Sequence, residues 1–195
     1  MKGRKGQTVL EIGGVRQAPG ARQVRELVLG ALLGALAFVI PFAFGFLKVY
    51  IPPFSATLCS HVPVMLAILF GPLAAVVAGL GSTLGFLYAM PAFIAARASI
   101  HILWGFVGAL LYRAGFKLWA ALLIVLPIHF IGEALVVVPF GFPLYIPGEP
   151  WYKWMATVVG LGTIPHHLVD TAITLVVVAA LYATKALPRP RAAGR

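Results

Sequence analysis

Residues 57–112 read TLCSHVPVMLAILFGPLAAVVAGLGSTLGFLYAMPAFIAARASIHILWGFVGALLY and carry a single formal charge, Arg97. A helix crossing the hydrocarbon core needs ~20 mostly apolar residues, so this stretch is too long for one crossing and too apolar for a water-soluble core. Proline ends or kinks a helix, and the Gly71-Pro72 and Met90-Pro91 junctions divide the stretch into segments 57–70, 72–89 and 92–112, the first two short for a bilayer. Working outward, apolar segments 27–47, 118–139 and 156–183 complete a set of six. The whole chain agrees: of 195 residues 61% are hydrophobic and 10% charged, and the mean hydropathy is +0.98. An ordinary soluble enzyme is excluded. The expected fold is an all-α integral membrane protein with six transmembrane helices over 26–184, between a flexible basic tail at 1–25 and a second basic tail at 185–195.

The net charge of +10 resembles a nucleic-acid signal until its 15 Lys and Arg are placed. With both termini in the cytoplasm, twelve of them fall inside: Lys2, Arg4, Lys5, Arg16, Arg22, Arg25, Arg113, Lys117, Lys185, Arg189, Arg191 and Arg195. Lys48 and Lys153 fall outside and Arg97 falls within the membrane. That asymmetry is the positive-inside rule, so the charge reads as topology: the lipid bilayer is an expected partner and a nucleic acid is not. The N-terminus is a poor signal peptide, because its charged stretch is too long and the apolar run behind it is of spanning length. The lone Cys59 permits no internal disulfide and no multi-cysteine metal knuckle, and reads as a small buried residue.

The outside connections 48–56 (KVYIPPFSA) and 140–155 (FGFPLYIPGEPWYKWM) hold five prolines with Tyr50, Tyr145, Trp151, Tyr152 and Trp154. They read either as an aromatic belt at the headgroups or as stiff loops covering an outward-facing pocket.

All five histidines, His61, His101, His129, His166 and His167, fall in the apolar segments, together with Arg97, Glu133 and Asp170. Ionisable groups in hydrocarbon are costly unless paired or facing a wet cavity. Arg97 and His101, His129 and Glu133, and His166 and Asp170 are each four residues apart, so each pair shares a helix face. At a rise of ~1.5 Å per residue the set falls in the outer half of the membrane. It reads either as hydrogen-bonded staples between helices or as one outward-facing site. In the site reading Arg97 clamps a carboxylate through its planar fork, the histidines, Glu133 and Asp170 hydrogen-bond a heteroaromatic ring, and Trp104 stacks on it. Arg97 against Glu133 and Asp170 leaves the site at net negative one with neutral histidines, so an anionic ligand needs a protonated carboxyl or a charged histidine. The rival is a transition-metal transporter or intramembrane metal-dependent hydrolase using His129, Glu133, His166, His167 and Asp170. No H-E-x-x-H motif supports it, and no phosphate-binding G-x-x-x-x-G-K-[ST] loop is present, so an ATP-driven role requires a partner.

Segment 1 contains LVLGALLGALAF, in which Gly30 and Gly34, and Ala31 and Ala35, form overlapping small-x-x-x-small pairs. These suit either an internal helix contact or docking of a partner helix.

Six short helices, a basic N-terminal tail, Ala31-x-x-x-Ala35 and an outward polar site resemble the substrate-binding S components of energy-coupling factor (ECF) vitamin transporters. Residues 48–86 with ARASIH at 96–101 are similar to the niacin-type subgroup. The resemblance implies a binding subunit of the bacterial cytoplasmic membrane with no catalysis and no cofactor of its own. It implies a lid at 48–56 and docking of the Ala31/Ala35 face, with Gly30 and Gly34, on a transmembrane T component coupled to two ATPase subunits. For nicotinate it implies Arg97 on the carboxylate and His101 or His61 on the pyridine nitrogen. A neutral or cationic ring, such as nicotinamide or a thiamine precursor, suits the charge more readily.

Overall fold

The computed structural model describes residues 11–12, 15–16, 19–51, 54–137 and 161–188. The outer loop 140–155, with its tyrosines and tryptophans, lies outside them, as do most of the two tails. A two-residue antiparallel ladder, β1 (Glu11–Ile12) with β2 (Val15–Arg16), precedes six α-helices among the described residues. These are α1 (Pro19–Ala43), α2 (Val62–Ala67), α3 (Pro72–Ala89), α4 (Ala92–Arg113), α5 (Leu118–Val136) and α6 (Leu161–Ala183). Between α1 and α2 the chain makes a hairpin of β3 (Lys48–Ile51) and β4 (Phe54–Thr57). Five of the helices, all but α2, are long and apolar enough to cross a membrane.

Two boundaries differ from the sequence reading. Helix α1 starts at Pro19, so residues 19–25, expected in the flexible tail, form its first turns. Proline is pre-organised for a helix start, and the Arg22 to Glu26 pair, 3.0 Å at i,i+4, ties the next turn. Segment 57–70, expected as a span, is helical only over six residues. Its ends are set by Cys59, whose φ is +68°, and by Gly71, whose φ of +137° is open to glycine and strained for other residues. Cys59 is correspondingly half-buried in a turn rather than packed in the core.

Small residues fix the packing. A Cβ on Gly30 would lie 2.8 Å from the Ala74 backbone, one on Gly34 would meet Val77 and Ala78, and one on Gly85 would meet Phe38. Positions on α1 and α3 rise together, so these two helices are parallel, and the intervening chain must return along the bundle through the hairpin and α2. Along α3 and α4 the register runs oppositely, Gly79 facing Ile102 and Thr83 Oγ1 donating to the Ala98 carbonyl at 3.3 Å. Helices α4 and α5 are antiparallel too, with Gly108 against Val125 and Gly132 against Ile100. Thr163 reaches Glu133 and His167 reaches His129, which makes α6 antiparallel to α5.

One end of the bundle thus gathers the starts of α1 and α3 and the end of α4. There Glu26 accepts from Arg22, from the Leu73 backbone at 3.3 Å and from Arg113. The opposite end holds the β3–β4 hairpin and the α3–α4 turn. The core between them is built on α2, whose Val64, Met65 and Ala67 are fully buried beside Ile68, Trp104, Leu122 and Val125. Large apolar side chains such as Leu32, Leu36, Leu84, Leu103, Leu135 and Val176 are exposed while histidines, an arginine and carboxylates are buried. That inversion suits a bilayer as the solvent.

Candidate functional site

At the hairpin end the ionisable side chains converge. A small cleft is lined by Ser55 and Thr57 from the hairpin, Ser60 and His61 before α2, Phe86, residues Ile94, Arg97, Ala98 and His101 of α4, Glu133 and His166. His129, Trp104, His167 and Asp170 lie behind this wall. The structure therefore brings every buried ionisable residue singled out from the sequence into one cluster, in two layers.

Arg97 from α4 and Glu133 from α5 form the central pair. Arg97 Nε and Nη2 donate to Glu133 Oε2 at 3.2 and 2.7 Å, and Nη1 points to Ser55 Oγ at 3.4 Å. Thr163 Oγ1 donates to the same carboxylate oxygen at 2.7 Å. Both charges are nearly excluded from solvent. Breaking such a pair is far costlier than its net worth, because the surviving charge is stranded.

Asp170 has a different task. Its Oδ1 accepts from the Cys59 backbone N–H at 2.9 Å and its Oδ2 from that of His61 at 3.0 Å, so it caps the turn that leads into α2. His61 Nδ1 lies 2.9 Å from Asp170 Oδ2 but out of line for a hydrogen bond. His166, one turn away on the same face, donates Nε2–H to the Thr57 carbonyl at 3.1 Å and ties α6 to the hairpin.

The remaining histidines pack ring to ring. His61 centres lie 4.7 Å from His101, 4.6 Å from His129 and 4.3 Å from His166. His101 Nδ1 meets Ser82 Oγ at 2.9 Å, and His129 Nδ1 meets His167 Nδ1 at 2.8 Å. Trp104, expected to stack on a ligand, instead forms a buried floor under the histidines, 5.4 Å from His129 and 5.7 Å from His101. Its register forces this position, since it is one turn below His101 on the same helix. Tyr50 lies on β3 opposite Ser55, with its side chain outside the described set.

Ser55, Thr57, Ser60, Ser82 and Thr163 were not singled out from the sequence. Two carried a signal: Thr163 is four residues before His167, and Ser82 is a hydroxyl in the middle of an apolar helix. The hairpin residues carried none, because their place depends on how the strands fold back.

On α1 the two small-residue pairs separate. Gly30 and Gly34 face α3 and are buried, so they form an internal seam and not a partner surface. Ala31 and Ala35 are exposed, flanked by exposed Val28, Leu32, Leu36 and Val39.

Over 81 residues the chain is 43% identical to "Niacin transporter NiaX" of Lactococcus lactis subsp. cremoris (strain MG1363). That match covers 41% of this chain and 36% of the relative. No protein-family model and no solved structure matches. The match supports the niacin-type resemblance; the relative is a transporter and not an enzyme. With five apolar helices of spanning length, it supports a multi-pass protein of the cell membrane.

Proposed function

We propose that this chain is the substrate-binding subunit of an ATP-driven vitamin importer and that its cleft takes a small pyridine carboxylate, with nicotinate the best candidate. The observation that carries this reading is the convergence of Arg97, three histidines and several hydroxyls on one small cleft at one end of an apolar bundle. A carboxylate docks on the guanidinium of Arg97, which keeps Glu133 through Nε and Nη2. His61 or His101 meets the ring nitrogen, and the β3–β4 hairpin covers the ligand.

In this reading α2 and its flanking turns complete a sixth crossing, which leaves both termini in the cytoplasm and the cleft facing outward. The parallel packing of α1 with α3 supports it, as does the charge asymmetry. The exposed Ala31/Ala35 face then docks on a transmembrane T component that two ATPase subunits drive.

Calorimetric titration of nicotinate and nicotinamide into purified protein tests the cleft. Arg97→Lys keeps a charge but loses the fork, and should weaken nicotinate at least tenfold while moving nicotinamide little; unchanged nicotinate affinity refutes the clamp. Ala31→Trp should leave binding intact and stop uptake in cells carrying the whole transporter, and continued uptake would remove that face from docking.

A further inference from the structure

The hydrogen bonds around His129 leave a conflict. His167 Nε2 lies 3.1 Å from the Leu122 carbonyl, which only accepts, so that nitrogen carries the hydrogen. In a neutral His167 ring Nδ1 is then an acceptor, and it lies 2.8 Å from His129 Nδ1, which must donate. The other nitrogen of a neutral His129, Nε2, is left with a lone pair. It is buried, has no hydrogen-bond partner, and sits 3.3 Å from Glu133 Oε1. Two electron-rich atoms facing one another in a buried space call for a proton or a metal ion between them, and the two further histidines close by favour the metal ion.

One donor atom from each of His61, His101, His129 and Glu133 lies within 4.8 Å of the other three, and all four residues are buried. Outer partners are in place as well. His101 Nδ1 is held by Ser82, and His129 Nδ1 by His167 backed by Leu122. Metal-bound histidines characteristically have their second nitrogen engaged in this way. A second trio, His61, His166 and Asp170, is equally close, but there both carboxylate oxygens already accept backbone N–H groups.

We propose that His61, His101, His129 and Glu133 bind one zinc-like divalent transition-metal ion at the base of the cleft. Three imidazoles and a carboxylate are a fitting donor set. Bonds of ~2.0–2.1 Å place tetrahedral donors about 3.4 Å apart, so rotations of about 1 Å close the quartet. The ion also resolves the charge of the cleft. Arg97, Glu133 and Asp170 sum to minus one with neutral histidines, and a divalent ion turns this to plus one, which suits an anionic carboxylate. This last step rests on the proposed function, with the ring nitrogen then meeting the bound ion in place of His61 or His101; the ion site does not rest on it.

The test uses the full chain in lipid nanodiscs, stripped with chelator and titrated with Co²⁺, read by visible absorption and by metal content. One ion per chain is expected, with the intense bands of a low-coordinate site. His101→Ala and His129→Ala should each weaken it at least tenfold. Ser82→Ala, which leaves all four ligands, should weaken it roughly tenfold and serves if the histidine variants fail to fold. Cys59→Ser should retain the ion. Absence of saturable binding, or binding indifferent to all three of the first variants, overturns the site. Nicotinate is then titrated into loaded and stripped protein. Tighter binding to the loaded form supports the site and the proposed function together. Equal binding to both, with no ion taken up, overturns the ion site alone. An ion bound with no nicotinate in either form supports the ion site and overturns the vitamin reading.

Discussion

Helix α4 carries an arginine near each end, and each meets a buried glutamate, but the two pairs are built differently. At the end that gathers the starts of α1 and α3, Glu26, 7% exposed, is shared by Arg22 and Arg113, which are 37% and 34% exposed, and also caps the start of α3 through Leu73 N–H. At the other end Arg97 and Glu133 are 5% and 6% exposed and stand among histidines with unpartnered nitrogens. The first arrangement satisfies its polar groups and does nothing further than join three helices. The second leaves polar capacity open toward a cleft. A buried ion pair is therefore no sign of a site by itself; what distinguishes one is polar atoms left unmatched around it.

That contrast is breakable. Arg97→Ala should strand Glu133 and cost about 3–5 kcal/mol, whereas Arg113→Ala, partly wet and with Arg22 still on Glu26, should cost about 0–1 kcal/mol. Thermal unfolding in detergent measures both, and equal losses would erase the distinction. Thr163→Val removes a hydrogen bond to an ionised carboxylate and should cost about 1.5–3 kcal/mol; a neutral result would mean that Glu133 is satisfied without it. On α1, Gly34→Leu should overpack the seam with α3 and cost about 1–3 kcal/mol. Its neighbour Ala35→Leu, turned toward the outside, should fall within about 0.5 kcal/mol of the parent. Similar melting points for these two would contradict the assignment of the α1 faces.

The same residues mark what the sequence could and could not reveal. Arg97, Glu133, Asp170 and the five histidines were legible because ionisable side chains stand out in apolar segments, and i,i+4 spacing alone pairs six of these eight on shared helix faces. The separation of Gly30 and Gly34 from Ala31 and Ala35 was not legible. One residue is a turn of about 100° on a helix, and a pattern of small residues does not say which side holds the neighbour. Segment 57–70 read as a span because its apolar content is high, yet the backbone at Cys59 and Gly71 limits its helix to six residues. Asp170 read as a ligand group, while its two oxygens cap a turn more than a hundred residues away in the chain. Such long-range caps have no local signature.

The central claim is that the cleft around Arg97 is built for a small pyridine carboxylate. Equilibrium binding of radiolabelled nicotinate to the full chain in nanodiscs, with unlabelled nicotinate as competitor, tests it most directly. One saturable site per chain, weakened at least tenfold by Arg97→Lys, is the predicted result. No saturable binding to the folded protein, with or without added Zn²⁺, would contradict it.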